Sequence, residues 1–169
     1  MYSLNIPVPG RVAALASEIA REVPGARARP RGEHTLGVKR LGTGDDDTYS
    51  HIEARAREAL VGQPAFEVRI ASVDYFPDAI TGPEPVIHLV VESEELHRLH
   101  LHLSDIFPPV EGIEGEGYNP HVTVARGGST EAAERISERA IDPITWTVTE
   151  LIFWDAVRKQ PVSRVSLPA

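Results

Sequence analysis

Apolar positions recur along the chain with two periods, and the stretches over which each period holds mark the predicted elements. Val12, Leu15, Ala16, Ile19 and Val23 keep the three-and-four spacing of a helix with one buried face, and Leu96, Leu99, Leu103 and Ile106 repeat it. Val122 and Val124 instead alternate with His121, Thr123 and Ala125, the pattern of a strand with one apolar face. In the first half these signals predict a strand over Tyr2 to Pro7, a helix over Pro9 to Val23, and a strand over His34 to Arg40. A helix over Asp46 to Val61 and a strand over Phe66 to Tyr75 follow. The second half runs similarly: strand Val86 to Val91, helix Glu94 to Phe107, strand His121 to Arg126, short helix Thr130 to Ala140, and one long strand, Ile144 to Trp154. A final strand covers Val162 to Leu167. Gly42 to Asp47 and Phe107 to Gly117 read as loops. Asp45 to Asp47 suit a helix start, where carboxylates cap free amides; the glycine and terminal glutamate of a calcium loop are missing.

Strands alternating with helices, with several strand-to-strand junctions, point to an α+β architecture. Two pseudo-symmetric sheet-and-helix lobes would flank a central cleft, each half of the chain offering it one motif strand. A length of 169 residues with 41% hydrophobic content suits a single bilobal domain over 1–169, expected to fold alone and to act as a monomer. The chain has no cysteine, so disulfides, thiolate chemistry and cysteine-ligated zinc are excluded. No basic region leads into an apolar signal core, and no apolar run approaches the roughly 20 residues that cross a bilayer. A soluble, cytoplasmic protein is expected, with no membrane partner.

Candidate chemistry concentrates in Pro120-His121-Val122-Thr123-Val124-Ala125-Arg126, where an imidazole and a hydroxyl share one face of a strand anchored by valines. A distorted second copy lies at Glu33-His34-Thr35-Leu36. Two histidines, each beside a hydroxyl, suit in-line displacement at phosphorus. One imidazole takes a proton and the other gives one, roles open to a side chain that titrates near neutrality. Thr35 and Thr123 would donate to phosphate oxygens, while Arg126 or Lys39 balances the charge that develops. Such chemistry needs neither metal nor cofactor.

Two HxT-type strands about ninety residues apart resemble the 2H phosphoesterase family, whose best-known members are RNA 2',3'-cyclic phosphodiesterases, also called 2'-5' RNA ligases. The second motif matches closely. Beyond it the likeness spans nearly the whole chain, through the opening strand and helix, the Pro-rich approach to His34, Leu41-Gly42 after that strand, and Tyr75-Phe76-Pro77 before the strand at Val86. The resemblance implies a bilobal fold with His34 and His121 facing each other as the catalytic pair. It also implies opening of a 2',3'-cyclic phosphate to leave a 2'-phosphate, with an RNA 3' end or a small cyclic nucleotide as partner. Ligation through a 2'-5' linkage would use the same site in reverse.

The first motif departs from that pattern, because His34 is followed directly by Thr35 and adjacent strand residues face opposite ways. Two registers are open. If Leu36 and Val38 set the frame, Glu33 and Thr35 occupy the catalytic face and His34 points away. If the distance from Pro30 sets it, His34 is catalytic and a bulge near Gly37 re-aims the strand. The second is expected here, since a histidine in an apolar face is costly to bury. The irregular motif also supports a competing reading, a phosphate- or nucleotide-binding module of the same fold with weakened catalysis.

A net charge of −8 argues against a protein that coats nucleic acid. Yet residues 27 to 40 carry Arg27, Arg29, Arg31, Lys39 and Arg40 against only Glu33, a basic patch able to attract phosphates or simply to be solvated. His97, His100 and His102 read as a polar helix face rather than a metal site, and His51 as solvent-facing. His88, between Ile87 and Leu89, reads as a sheet or cleft residue. Trp146, Trp154, Phe153 and Tyr75 suit core or inter-lobe positions, with Phe76 or one of them available to stack on a base. Tyr118, the aromatic nearest the second motif, is a candidate substrate contact.

Overall fold

A single antiparallel path of strands runs through the computed structural model, which describes residues 1–169. The strands are β1 (Tyr2–Pro7), β2 (Arg27–Ala28), β3 (Thr35–Gly42), β4 (Phe66–Phe76), β5 (Val86–Glu92), β6 (His121–Arg126), β7 (Ile144–Val148), β8 (Glu150–Asp155) and β9 (Gln160–Ser166). The helices are α1 (Gly10–Arg21), α2 (Asp46–Ala59), α3 (Glu94–Ser104) and α4 (Thr130–Ser137). Strand order is β7-β4-β5-β6-β3-β1-β8-β9, with the short β2 added on β6. At the middle, β3 and β6 share one register pair, Leu36 with Val122. That seam divides the path into two groups of four strands, the two lobes of an α+β fold.

The lobes are not the two halves of the sequence. First-half β4 pairs with β5 and β7, and second-half β8 pairs with β1. Helix α1 packs on β6 and α4 on β4, while α3 packs on β3 and β4 with α2 beside it. The stretch expected as one long strand, Ile144 to Trp154, is two strands that part at Thr149 and serve opposite ends of the path. In a flat sheet six strand spacings would separate β7 from β8, about 29 Å at the usual interval. Only Thr149 joins them. The sheet is therefore obliged to curl, and the curl makes its face concave.

Periodicity explains the rest. Val12, Ala16 and Ile19 of α1 and Leu96, Leu99 and Leu103 of α3 are buried against Leu4, Ile6, Leu36, Leu89, Val122 and Val124. Each such aliphatic side chain contributes about 1.5–3 kcal/mol on leaving water. Asp45, Ser93 and Ser129 cap their helices by accepting from the N–H groups of Thr48, Leu96 and Ala132. No helix is long and apolar enough to cross a membrane.

Strand β3 carries two register shifts against β1. Asn5, Ile6 and Pro7 pair regularly with Gly37, Leu36 and Thr35, but Leu4 pairs with Lys39, so Val38 is an extra residue. A bulge of this kind reverses which residues beyond it face each side. Lys39 is carried to the core side beside Leu4, and Arg40 to the opposite side beside Ser3.

Candidate active site

The valines of β6 hold it in the core, and His121 and Thr123 project from its other face. Across β5, Val90, His88 and Val86 pair with His121, Thr123 and Arg126, and a register shift between Ile87 and His88 leaves Val124 extra. Plain alternation would send Arg126 to the opposite face from His121. The irregularity brings Arg126 onto the face shared by His121, Thr123 and His88.

Three rings cluster there. Phe76 stacks on His88 with centroids 4.0 Å apart, and both meet His121 edge-on, Phe76 at 5.0 Å and His88 at 5.1 Å. His121 Nδ1 lies 2.7 Å from the Asn119 carbonyl oxygen, and His88 Nδ1 lies 3.2 Å from that of Val86. A carbonyl only accepts, so each Nδ1 carries the proton and donates, leaving each Nε2 as the free lone pair. Neither Nε2 has a protein partner and neither is sealed from solvent; the same holds for the Thr123 hydroxyl.

Positive charge surrounds this face. Burial holds His121 below the ordinary imidazole range, and Arg126, Arg29 and Arg40 add to the effect against the opposing hydrogen bond to the Asn119 carbonyl. Burial, with the His121 charge beside it, brings His88 down to about 4. Arg29 follows β2, its N–H bonded to the Val124 carbonyl. Its own value is lowered by burial and by Arg126. One Arg126 N–H donates to the Thr81 carbonyl at 2.7 Å, and none of these three arginines is in a salt bridge.

The first motif is arranged differently from the expected register. Thr35 opens β3 on the side opposite Leu36, the side of His121 and Thr123, and its hydroxyl donates to the Ile6 carbonyl at 3.2 Å. His34 precedes the strand and is 8% exposed, with both ring nitrogens buried and unpartnered. Burial lowers its pKa, and so does Arg29, the charge it shares with His121. The ring contacts of His121 are to Phe76 and His88, not to His34. A bulge does lie next to Gly37, but it falls after the motif and re-aims Lys39 and Arg40 instead of His34.

Lys39 and Tyr118 are occupied elsewhere. Lys39, 1% exposed, gives its Nζ to Glu114 at 2.8 Å, the Arg40 carbonyl at 2.9 Å and the Pro108 carbonyl at 3.4 Å. All three of its protons are engaged, and Arg40 takes the place on the open face. The Tyr118 hydroxyl donates to the Gly37 carbonyl at 2.6 Å, and its ring stacks on His100 at 3.8 Å. His100 is fully buried, unlike the polar face expected of it. It donates from Nδ1 to the Val38 carbonyl at 2.7 Å and accepts at Nε2 from the Gly115 N–H at 2.8 Å. Lys39, His100 and Tyr118 thus satisfy the carbonyls that the bulge in β3 frees from pairing.

Sequence reasoning read His88 only as a sheet or cleft residue and Arg29 and Arg40 only as part of a basic patch able to attract phosphates or simply to be solvated. His88 was signalled only by its polarity within an apolar strand, and the arginines only by the basic stretch around the first motif. No group of three or more His, Cys, Asp or Glu side chains gathers to hold a metal ion.

Solved structures share this fold. The chain superposes on a Thermus thermophilus protein, TT0787, with a TM-score of 0.69 and 18% identity, over 98% of this chain and 97% of that one. Escherichia coli LigT, in a crystal structure complexed with 3'-AMP, aligns with a TM-score of 0.72 and 16% identity over 99% and 98%. A crystal structure of a phosphoesterase aligns at 0.61 with 17% identity, over 99% and 98%. No curated protein sequence matches. The family model of the 2'-5' RNA ligase superfamily matches residues 40–160, which covers most of the chain, β6 and its histidine included, and the protein therefore belongs to that superfamily of 2H phosphoesterases.

Proposed function

We propose that this protein hydrolyses 2',3'-cyclic phosphate ends of RNA, or small cyclic nucleotides, to a 2'-phosphate by imidazole acid-base catalysis. The observation that carries this reading is the union on one face of a free His121 Nε2, a free Thr123 hydroxyl and three arginines whose guanidinium groups are in no salt bridge. Thr123 donates to a non-bridging phosphate oxygen, and Arg126 and Arg29 meet the negative charge with planar forks. His121 exchanges a proton with water or with the leaving ribose oxygen. That Escherichia coli LigT, which shares this fold, has crystal structures complexed with 3'-AMP and with phosphate supports a phosphate-bearing ligand. Joining an RNA end through a 2'-5' linkage is the same displacement with a ribose 5'-hydroxyl attacking in place of water and the 3' oxygen leaving.

Hydrolysis of 2',3'-cyclic AMP, with the products resolved as 2'- or 3'-AMP, tests the reading. The parent should yield the 2'-phosphate, and His121→Ala should lose about 10²- to 10⁴-fold in rate with its fold intact. A folded His121→Ala protein that turns over at the parent rate removes the assignment.

One observation favours a second reading. The sealed nitrogens of His34 leave the first motif without an accessible imidazole, as a nucleotide-binding module with weakened catalysis requires. That alternative predicts binding of 2'-AMP or inorganic phosphate with no turnover of the cyclic nucleotide.

A further inference from the structure

One polar side chain on the open face takes no part in the proton and phosphate chemistry and has no partner of its own. Asn5 lies on β1 between Leu4 and Ile6, which are fully buried in the core, so its carboxamide points to the side of His121 and Thr123. The residue is 4% exposed, yet neither Oδ1 nor Nδ2 meets a hydrogen-bonding group of the protein, and neither is sealed from solvent. A carboxamide so deeply set is costly to leave unpaired unless something from outside completes it. We propose that Asn5 reads the base of the nucleotide whose cyclic phosphate is held at His121, with Nδ2 donating and Oδ1 accepting at the base's hydrogen-bonding edge. This deepens the hydrolytic reading above and rests on it.

The strand register lines the subsite up with the candidate chemistry. Carried one step on, the antiparallel pairing of Leu36 with Val122 sets Gly37 next to His121, and Gly37 in turn pairs with Asn5. The hydroxyl of Tyr118, just before β6, donates to the Gly37 carbonyl and ties the two segments at that level. On its other side Asn5 pairs with Ile152 of β8. His121, Gly37, Asn5 and Ile152 thus form one row across β6, β3, β1 and β8, with His121 and Asn5 two strand spacings apart, about 10 Å. Between them Gly37 leaves a bare floor, where an added Cβ would meet no atom within 4 Å. A ribose fits over this floor, with its phosphate at His121 and Thr123 and its base at Asn5.

Beyond Asn5 the row ends on an apolar wall. Ile152 is buried but stands outside the main core cluster, and half-buried Trp154 lies on the same face of β8. A nucleobase, apolar on its faces and polar at its edge, suits an apolar wall with one carboxamide set beside it. A carboxamide answers an edge that offers a donor next to an acceptor, as adenine does. A carboxylate in its place only accepts, and suits the adjacent N–H groups of guanine. Exchanging one for the other should therefore move base preference, which an asparagine that merely supports the sheet would not do.

The test compares the parent with Asn5→Leu and Asn5→Asp, each confirmed as folded by circular dichroism. Substrates are the 2',3'-cyclic phosphates of adenosine, of guanosine and of base-free methyl riboside. Asn5→Leu should lose about tenfold or more in kcat/KM on the adenosine substrate, mostly through KM, and stay within about twofold of the parent on the base-free one. Asn5→Asp should shift the adenosine-to-guanosine ratio about tenfold or more towards guanosine. Equal losses on all three substrates, or a ratio unmoved in both variants, overturn the proposal. Should the parent turn over none of them, the hydrolytic reading fails, and calorimetric titration with 2'-AMP and with ribose 2-phosphate decides the subsite. A tighter hold on 2'-AMP that Asn5→Leu erases sustains it; equal affinities in the parent, or a preference that Asn5→Leu keeps, overturn it.

Discussion

Lys39 and Glu114 meet at 2.8 Å with side chains 0% and 6% exposed, a buried ion pair that ties the middle of β3 to the loop preceding β6. Glu114 also accepts from the backbone N–H groups of Arg40 and Val110. Burial alone would raise its carboxyl, but these N–H groups and the Lys39 ammonium hold it below the usual carboxylate range. Removing one partner strands the other charge, so Glu114→Gln should cost about 3–5 kcal/mol. Replacing both, as in Lys39→Met with Glu114→Gln, should recover part of that loss. Urea denaturation of the single and double variants measures the coupling; strictly additive effects would show that the pair is not coupled.

Arg126 and Arg29 should act on binding more than on the chemical step. Arg126→Ala is expected to raise KM for a cyclic nucleotide about tenfold and to flatten its dependence on salt, because a phosphate contact made through counterion exchange is lost. Steady-state kinetics at several ionic strengths provide the check. An unchanged KM and salt slope would take Arg126 out of the anion pocket.

His34 and Thr35 separate the two registers of the first motif. With both His34 nitrogens sealed and unpartnered, His34→Leu should leave stability equal to the parent's or higher, since an unsatisfied buried polar group costs about 1–3 kcal/mol. Its turnover should fall less than tenfold, far short of the His121→Ala loss. A defect equal to that of His121→Ala in a folded protein would restore His34 to the catalytic pair.

Stability should weaken in mild acid. Burial lowers the proton affinity of His34, His88, His100 and His121, while in the unfolded chain each titrates near about 6.5. Below that pH the unfolded chain binds protons that the folded chain refuses. The stabilisation is fully present above about pH 6.5 and drains away as pH falls towards the folded values, about 4 for His88. His100 adds a direct cause: protonating its Nε2 sets a donor against the Gly115 N–H. Calorimetric unfolding at pH 6 in buffers of different ionisation enthalpy should register net proton uptake; release or zero uptake would contradict these shifts.

Much of the fold was legible because it rests on simple periods. The helical faces of α1 and α3 lie where the apolar spacing puts them, and β6 has the bounds that alternation assigns. What alternation cannot register is an extra residue. At Val38 the bulge exchanges Lys39 for Arg40 on the open face, and at Val124 the irregularity adds Arg126 to it. Both depend on the partner strand, which local pattern does not reveal. The break at Thr149 escaped for a related reason: Ile144–Val148 and Glu150–Asp155 are equally good strand sequences, and only their different partners, β4 and β1, divide them. His88 was visible only as a polar residue among aliphatic neighbours, and its proximity to His121 arises from cross-strand pairing.

That junction at Thr149 has a mechanical meaning. Since a single residue bridges strands that lie six places apart, the curl of the sheet that carries His121 and the arginines is fastened covalently, independent of whatever binds there. Extra residues spliced in at this point would slacken that fastening and let the sheet open, so the curvature beneath the site depends on the length of a connection remote in sequence from His121 and the arginines.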